Sequence, residues 1–145
     1  MEYRSGSIGR VLTIRFDHGD DFLEGLKEIL LKEDIKTGWF QILGAMRRAD
    51  VVIGPKEPVM PPIPLWTKVD EAREAIGTGS VYMDGEEPII HLHAALGYHG
   101  ETLTACVRKN TEVYLILEVL LFEITGIGAT RPWWDKGGFN RLTFS

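Results

Sequence analysis

Three side chains able to hold a metal ion fall close together in this sequence: His91, His93 and Cys106. His and Cys are the ligand types zinc favours, in a tetrahedron of four. Residues 89–96 and 102–107 read as two strands around a Gly-containing break. With His99-Gly100 as a two-residue loop, Tyr98 faces Glu101, Gly97 faces Thr102 and His93 faces Cys106. Side chains alternate along a strand, so Ile89, His91, His93 and Ala95 share one face. Cys106 projects on that same face, opposite His93 and diagonal to His91. A slip of one residue would turn the thiol away. Three protein ligands plus a water is the open pattern of catalytic zinc sites. His-x-His alone is more often a hydrogen-bonded pair, and a single Cys is usually a small buried hydrophobe. It is the register that favours Zn2+, or another divalent transition metal. His18 and His99 are weaker candidates for a fourth ligand, since loop histidines are usually just solvated. Arg108, diagonal to the site, offers charge for a small anion or a protein partner.

The elements that must carry these residues follow from the pattern on either side. Residues 11–16 alternate, with Leu12, Ile14 and Phe16 on one face, and read as a half-buried strand. Asp17-His18-Gly19-Asp20 is a turn. Asp21 and Glu24 open a helix of about 21–34, where Phe22, Leu23, Leu26, Ile29 and Leu30 form an apolar stripe. Glu28 and Lys32 are spaced for an ion pair on its wet face. Residues 39–46 and 49–53 read as two strands with Arg47-Arg48 as a turn between them. Residues 54–65 hold five of the seven prolines and predict an irregular loop, whose apolar members predict packing against something, such as a neighbouring subunit. Residues 68–76 are compatible with a helix or a strand. Gly77-Thr78-Gly79-Ser80 reads as a turn or bulge, and Asp84-Gly85 as a turn. A turn at Asn110-Thr111 would place Leu115 opposite Cys106 and Val113 opposite Arg108, beginning a strand over 112–124 that is apolar on both faces. Arg131-Pro132-Trp133-Trp134 predicts a closed core or an interface, and residues 139–144 a last strand. The expected class is α+β: mainly antiparallel twisted β-sheet with one principal helix packed on it.

The chain has 145 residues, 44% hydrophobic and 26% charged, as expected for a single globular domain over 1–145. A net charge of -5 argues against non-specific nucleic-acid binding. The single cysteine cannot form an internal disulfide and suits a reducing compartment. No apolar run approaches the roughly 20 residues that span a bilayer, and the first residues do not open a signal peptide. A soluble cytoplasmic protein is expected.

The run Pro88-Ile89-Ile90-His91-Leu92-His93-Ala94-Ala95-Leu96, then Gly100, then Cys106 through Val113, resembles the core of the PPC domain (the plants and prokaryotes conserved domain) in its stand-alone prokaryotic form. His91 and His93 match that family's paired histidines, and Cys106 stands where a third histidine would. Ala105 and Thr104 replace two glycines, and Asn110 takes the turn-glycine position, a mild exchange because Asn tolerates positive φ. His to Cys keeps a metal ligand and makes the site softer. The resemblance implies an extended conformation for residues 68–76 and three subunits. The proline-rich loop, the strand apolar on both faces and Trp133-Trp134 give more apolar surface than a monomer should expose, and predict a homotrimer with the surface around 113–122 near the contact. The resemblance also implies an interaction or regulatory role, associated with DNA in plant members through AT-hooks. This chain has no Arg-Gly-Arg hook. The alternative is a small enzyme using a metal-activated water. That needs a general base, and Glu101 and Glu118, the acids of the core strands, fall on the opposite or distal side.

Overall fold

The computed structural model describes residues 1–145. Its main elements are β1 (Ser7–Asp17), α1 (Phe22–Lys32), β2 (Thr37–Pro55), β3 (Pro64–Val69), β4 (Arg73–Asp84), β5 (Glu87–Tyr98) and β6 (Glu101–Thr125). The six strands form one antiparallel sheet in the order β1-β6-β5-β4-β2-β3. A further pairing of β6 with β2 closes β2, β4, β5 and β6 into a ring. The class is α+β, mostly β, as the sequence predicts.

Closure depends on two very long strands, β2 with 19 residues and β6 with 25. Strands of that length must bend to serve two neighbourhoods, and they do so at bulges. Their mutual register shifts between Gly44 and Met46, and again on the way to Arg48, Asp50 and Val51. Gly44 sits at φ 151, with its α-carbon so close to the backbone of Ile116 and Leu117 that a side chain would collide. These long strands correct two sequence expectations. Arg47-Arg48 is not a turn: both arginines lie within β2 and pair with Glu112 across the sheet. Nor does the chain turn at Asn110-Thr111. Asn110 takes its positive φ, 53, inside a continuous β6, so Val113 pairs with Met46, and Val52 rather than Leu115 faces Cys106. The cause is the helix. Buried Thr111 accepts a hydrogen bond from the Leu23 N–H at 2.9 Å and donates to Asp21 at 2.7 Å, anchoring the strand to the start of α1. A left-handed Asn suits a bulge as well as a turn, which is why the local signal did not discriminate.

Asp21 is the N-cap of α1, accepting from the Glu24 N–H at 3.3 Å. Phe22, Leu23, Leu26 and Leu30 are buried against β5 and β6. The Phe22 ring meets Phe16 and Phe40 edge-on, with centroids 5.4 and 6.5 Å apart. The helix ion pair is Lys27–Glu24 at 3.3 Å, not Glu28–Lys32, and at this exposure it contributes little.

Residues 68–76 form no helix: 68–69 end β3, 73–76 begin β4, and 70–72 connect them. Gly77-Thr78-Gly79-Ser80 lies within β4 instead of forming a turn. Its glycines are there for close approach: a side chain at Gly79 would strike the Phe40 ring, and one at Gly77 the backbone of His93 and Ala94. The expected last strand over 139–144 is broken in two. Phe139–Asn140 pairs with Trp133–Trp134, and Thr143–Phe144 pairs with Ala129–Thr130. The break falls at Arg141-Leu142, while a tight turn precedes the first piece: the Gly137 and Gly138 N–H groups both donate to the Trp134 carbonyl, bringing Phe139 against the Trp134 ring.

Candidate metal centre

Alternation on β5 sorts its side chains into two sets. Leu92, Ala94 and Leu96 point into the core with Ala105 and Val107 of β6. His91 and His93 point outward. The two-residue turn has φ 50 at His99 and 85 at Gly100, the left-handed pair that a type I′ hairpin requires. It sets Tyr98 against Glu101 and, five residues back, His93 against Cys106. Cys106 also faces Val52 of β2, and Val52 faces Trp66 of β3. One cross-strand row thus runs His93, Cys106, Val52, Trp66 on the outer surface of the ring.

His91 Nε2 and His93 Nε2 lie 3.1 Å apart, with their rings nearly perpendicular. Two nitrogens bound to one tetrahedral zinc at 2.0–2.1 Å would be about 3.3 Å apart. The ligand atoms of His91, His93 and Cys106 all fall within 4.8 Å of one another. A zinc thiolate would need about 3.6 Å between sulfur and nitrogen, so the thiol must close by about 1 Å. The residues fit the ion.

Electrostatics act differently on two of these side chains. His91 keeps solvent on one side of its ring but stands at the wall of a cleft. Burial there, and then the charges of Arg131, His93 and Arg108, lower its pKa to about 4. The imidazole is therefore in its neutral, metal-binding form well into the acid range. Burial pushes the Cys106 thiol up, and Arg108 only partly offsets this. The sulfur keeps its proton until an ion displaces it. A metal-free Cys106 is thus an inert thiol, not a reactive one.

Residues 3–125 match the model of the Plants and Prokaryotes Conserved (PCC) domain. The chain belongs to this family. A solved structure of a plant- and prokaryote-conserved (PPC) protein from Pyrococcus horikoshii has a TM-score of 0.79 at 21% identity, covering 100% of this chain and 99% of that one. A metal-containing protein from Archaeoglobus fulgidus has a TM-score of 0.85 at 22% identity, covering 99% of both chains. A candidate DNA-binding protein from Bacteroides thetaiotaomicron has a TM-score of 0.77 at 16% identity over 96% of this chain and 97% of that one. At these identities the likeness is one of fold. No curated protein sequence matches the chain.

In this PPC domain the two weaker histidines have other work. His18 accepts the N–H of Leu115 at 3.1 Å, at a bulge where Leu115 has φ 60. His99 stays at the hairpin tip, its ring 4.1 Å from that of Tyr98. Neither joins the cluster of three. Arg108 stands at the next outward position after Cys106 and lines the cavities on both sides of the cluster. Glu101 is at the exposed hairpin tip, and Glu118 lies on β6 beyond β2, opposite Leu43. Sequence reading missed Arg131 as part of the site. Its link to the sheet is a hydrogen bond to Ser80, 51 residues away, and no local pattern distinguishes it from a surface arginine.

Proposed function

We propose that this PPC domain binds a divalent transition metal, zinc foremost, through His91, His93 and Cys106, and that it does so as a homotrimeric interaction or regulatory module. The observation that carries the metal reading is the convergence of three ligand atoms of the right chemistry on one outer face. The name of the Archaeoglobus fulgidus neighbour agrees with it. When bound, the ion would supply Lewis acidity and a fourth position for water or a group from elsewhere. The chain's own residues supply one imidazole already free of its proton and a thiol that must surrender one.

Assembly is supported by the outer surface next to the cluster. The register row from His93 continues through Thr78 and Gln41 to Leu120, and the row beside it holds Ile76 and Leu43. Leu43, Ile76 and Leu115 are 59, 64 and 61% exposed, an unusual concentration of bare aliphatic side chains on one sheet. A second and third copy would cover them. A DNA role has less support: the neighbour's name points that way, but a chain of charge -5 has no general attraction for phosphate backbones.

The test joins metal analysis of purified protein, after growth with zinc, to light scattering at micromolar concentration. Near-stoichiometric zinc and a three-chain mass are expected. Folded protein without metal would overturn the first half, and a monomeric mass the second.

A further inference from the structure

Beside the metal ligands lies a cavity of ≈ 390 Å³ whose chemistry the metal does not explain. His91 forms part of its rim. Its walls come from β3 through Pro64 and Trp66, from the proline loop through Pro62, and from the final segment through Trp133 and Phe139. Two arginines, Arg108 and Arg131, also line it, and none of its 13 lining residues is an Asp or Glu.

Arg131 is the unusual member. It is only 6% exposed and forms no ion pair, whereas Arg10, Arg15, Arg47, Arg48 and Arg73 all have carboxylate partners at more open positions. A buried cation without a counter-charge is costly, and burial accordingly lowers its pKa. The fold nevertheless holds it firmly. Its N–H donates to the Met83 carbonyl at 2.8 Å, and its own carbonyl accepts from Asn140 at 3.0 Å. The guanidinium donates to the Ser80 hydroxyl at 2.9 Å and lies 4.7 Å from the centre of the Tyr82 ring. Ser80 is the register partner of His91, so the charge is fixed one strand away from the metal ligand. Ser80 engages two of the five guanidinium N–H donors, and no buried side-chain nitrogen is left without a partner. Nε has no protein partner, and Arg131 lines the cavity.

We propose that this cavity is a binding site for a small aromatic carboxylate, its anionic group held by Arg131 and Arg108 and its flat body between Trp66, Trp133 and Phe139. The carboxylate supplies the missing counter-charge through charge-assisted hydrogen bonds in a partly desolvated place. The indole and phenyl walls supply stacking area for an unsaturated body. The volume is that of a small-molecule site. The proposal goes beyond the metal reading and does not depend on it, because both arginines belong to the protein whether or not an ion is present.

The test is titration of benzoate into chelator-treated protein and into zinc-loaded protein, followed by tryptophan fluorescence and thermal melting. Benzoate should perturb the fluorescence saturably and raise the melting temperature in both forms, while neutral benzamide should do neither. Arg108→Gln should weaken benzoate binding at least about tenfold, as expected for loss of a hydrogen bond to a charged group. Arg131→Gln should abolish binding, and the benzoate–benzamide contrast in unaltered protein stands even if that variant folds poorly. Equal responses to benzoate and benzamide, or none to either at millimolar concentration, would overturn the proposal. Inorganic phosphate acting as strongly as benzoate would also overturn it, since the aromatic walls would then contribute nothing.

Discussion

The two faces of β5 are built from alternate residues of one strand and obey opposite rules. Leu92, Ala94 and Leu96 enter the core, at 0 to 2% exposure, and meet side chains from every other strand of the ring. His91 and His93, each a single residue away, stand in partial contact with solvent and meet one another, Cys106 and a positively charged cleft. The inner face is held by packing and tolerates no void. The outer face places its histidines by register, at positions open to solvent. Its contribution to folding is small, and its value lies in bringing separated donors together. One strand can therefore be rigid enough to aim a ligand and open enough to offer it.

The sharpest test of that contrast is to damage each face separately. Leu92→Ala should cost about 2–5 kcal/mol in denaturant unfolding, as buried Leu truncations do. His93→Ala, next to it, should cost less than about 1 kcal/mol, within the range of ordinary surface changes. Equal costs would mean that the two faces are not energetically distinct. The ligands should give the reverse ranking in metal affinity. By chelator competition, Cys106→Ser and His93→Ala should each lose about 100-fold or more, the upper end of what even an outer partner costs. His99→Ala should leave the affinity unchanged.

The outer face can be tested further along the same rows. Leu43→Asp, placed among bare aliphatic side chains, should convert the expected three-chain mass to that of a monomer in light scattering without unfolding the protein. Circular dichroism checks the fold.

Two smaller effects depend on pH. Because the Cys106 thiol is pushed up by burial, metal must displace its proton, and zinc affinity should rise about tenfold per pH unit through neutrality. Metal-free protein should show a weaker dependence of opposite origin. The native pKa of His91, about 4, is below the ordinary value near 6.5. As pH falls through 6.5 the unfolded chain takes up a proton that the native ring does not. Stability should therefore decline between about 6.5 and 4 and level off below. His91→Gln should flatten that segment of the stability profile. The partial exposure of the ring keeps the effect small.

Much of this was legible in the chain itself. The apolar stripe of α1, its Asp21 cap, the His99-Gly100 turn and the facing of His93 by Cys106 are all short-range consequences of spacing. They hold because alternation and turn type leave few options within a hairpin. What the sequence could not supply was set by encounters between distant segments. Residues 39–53 formed one strand instead of two because Glu112 lies across from Arg47 and Arg48. Asn110 became a bulge instead of a turn because Thr111 is bound to the start of α1. The glycines at 77 and 79 serve the approach of Phe40 and β5, not a change of direction. Arg131 reached the cleft only because residues after 125 fold back onto Ser80 and Tyr82. Local sequence determined which donors share a face, since that depends on a period of two. Closure of the ring through β2 and β6 decided what surrounds them, since that depends on contacts whose partners lie about fifty residues or more apart along the chain.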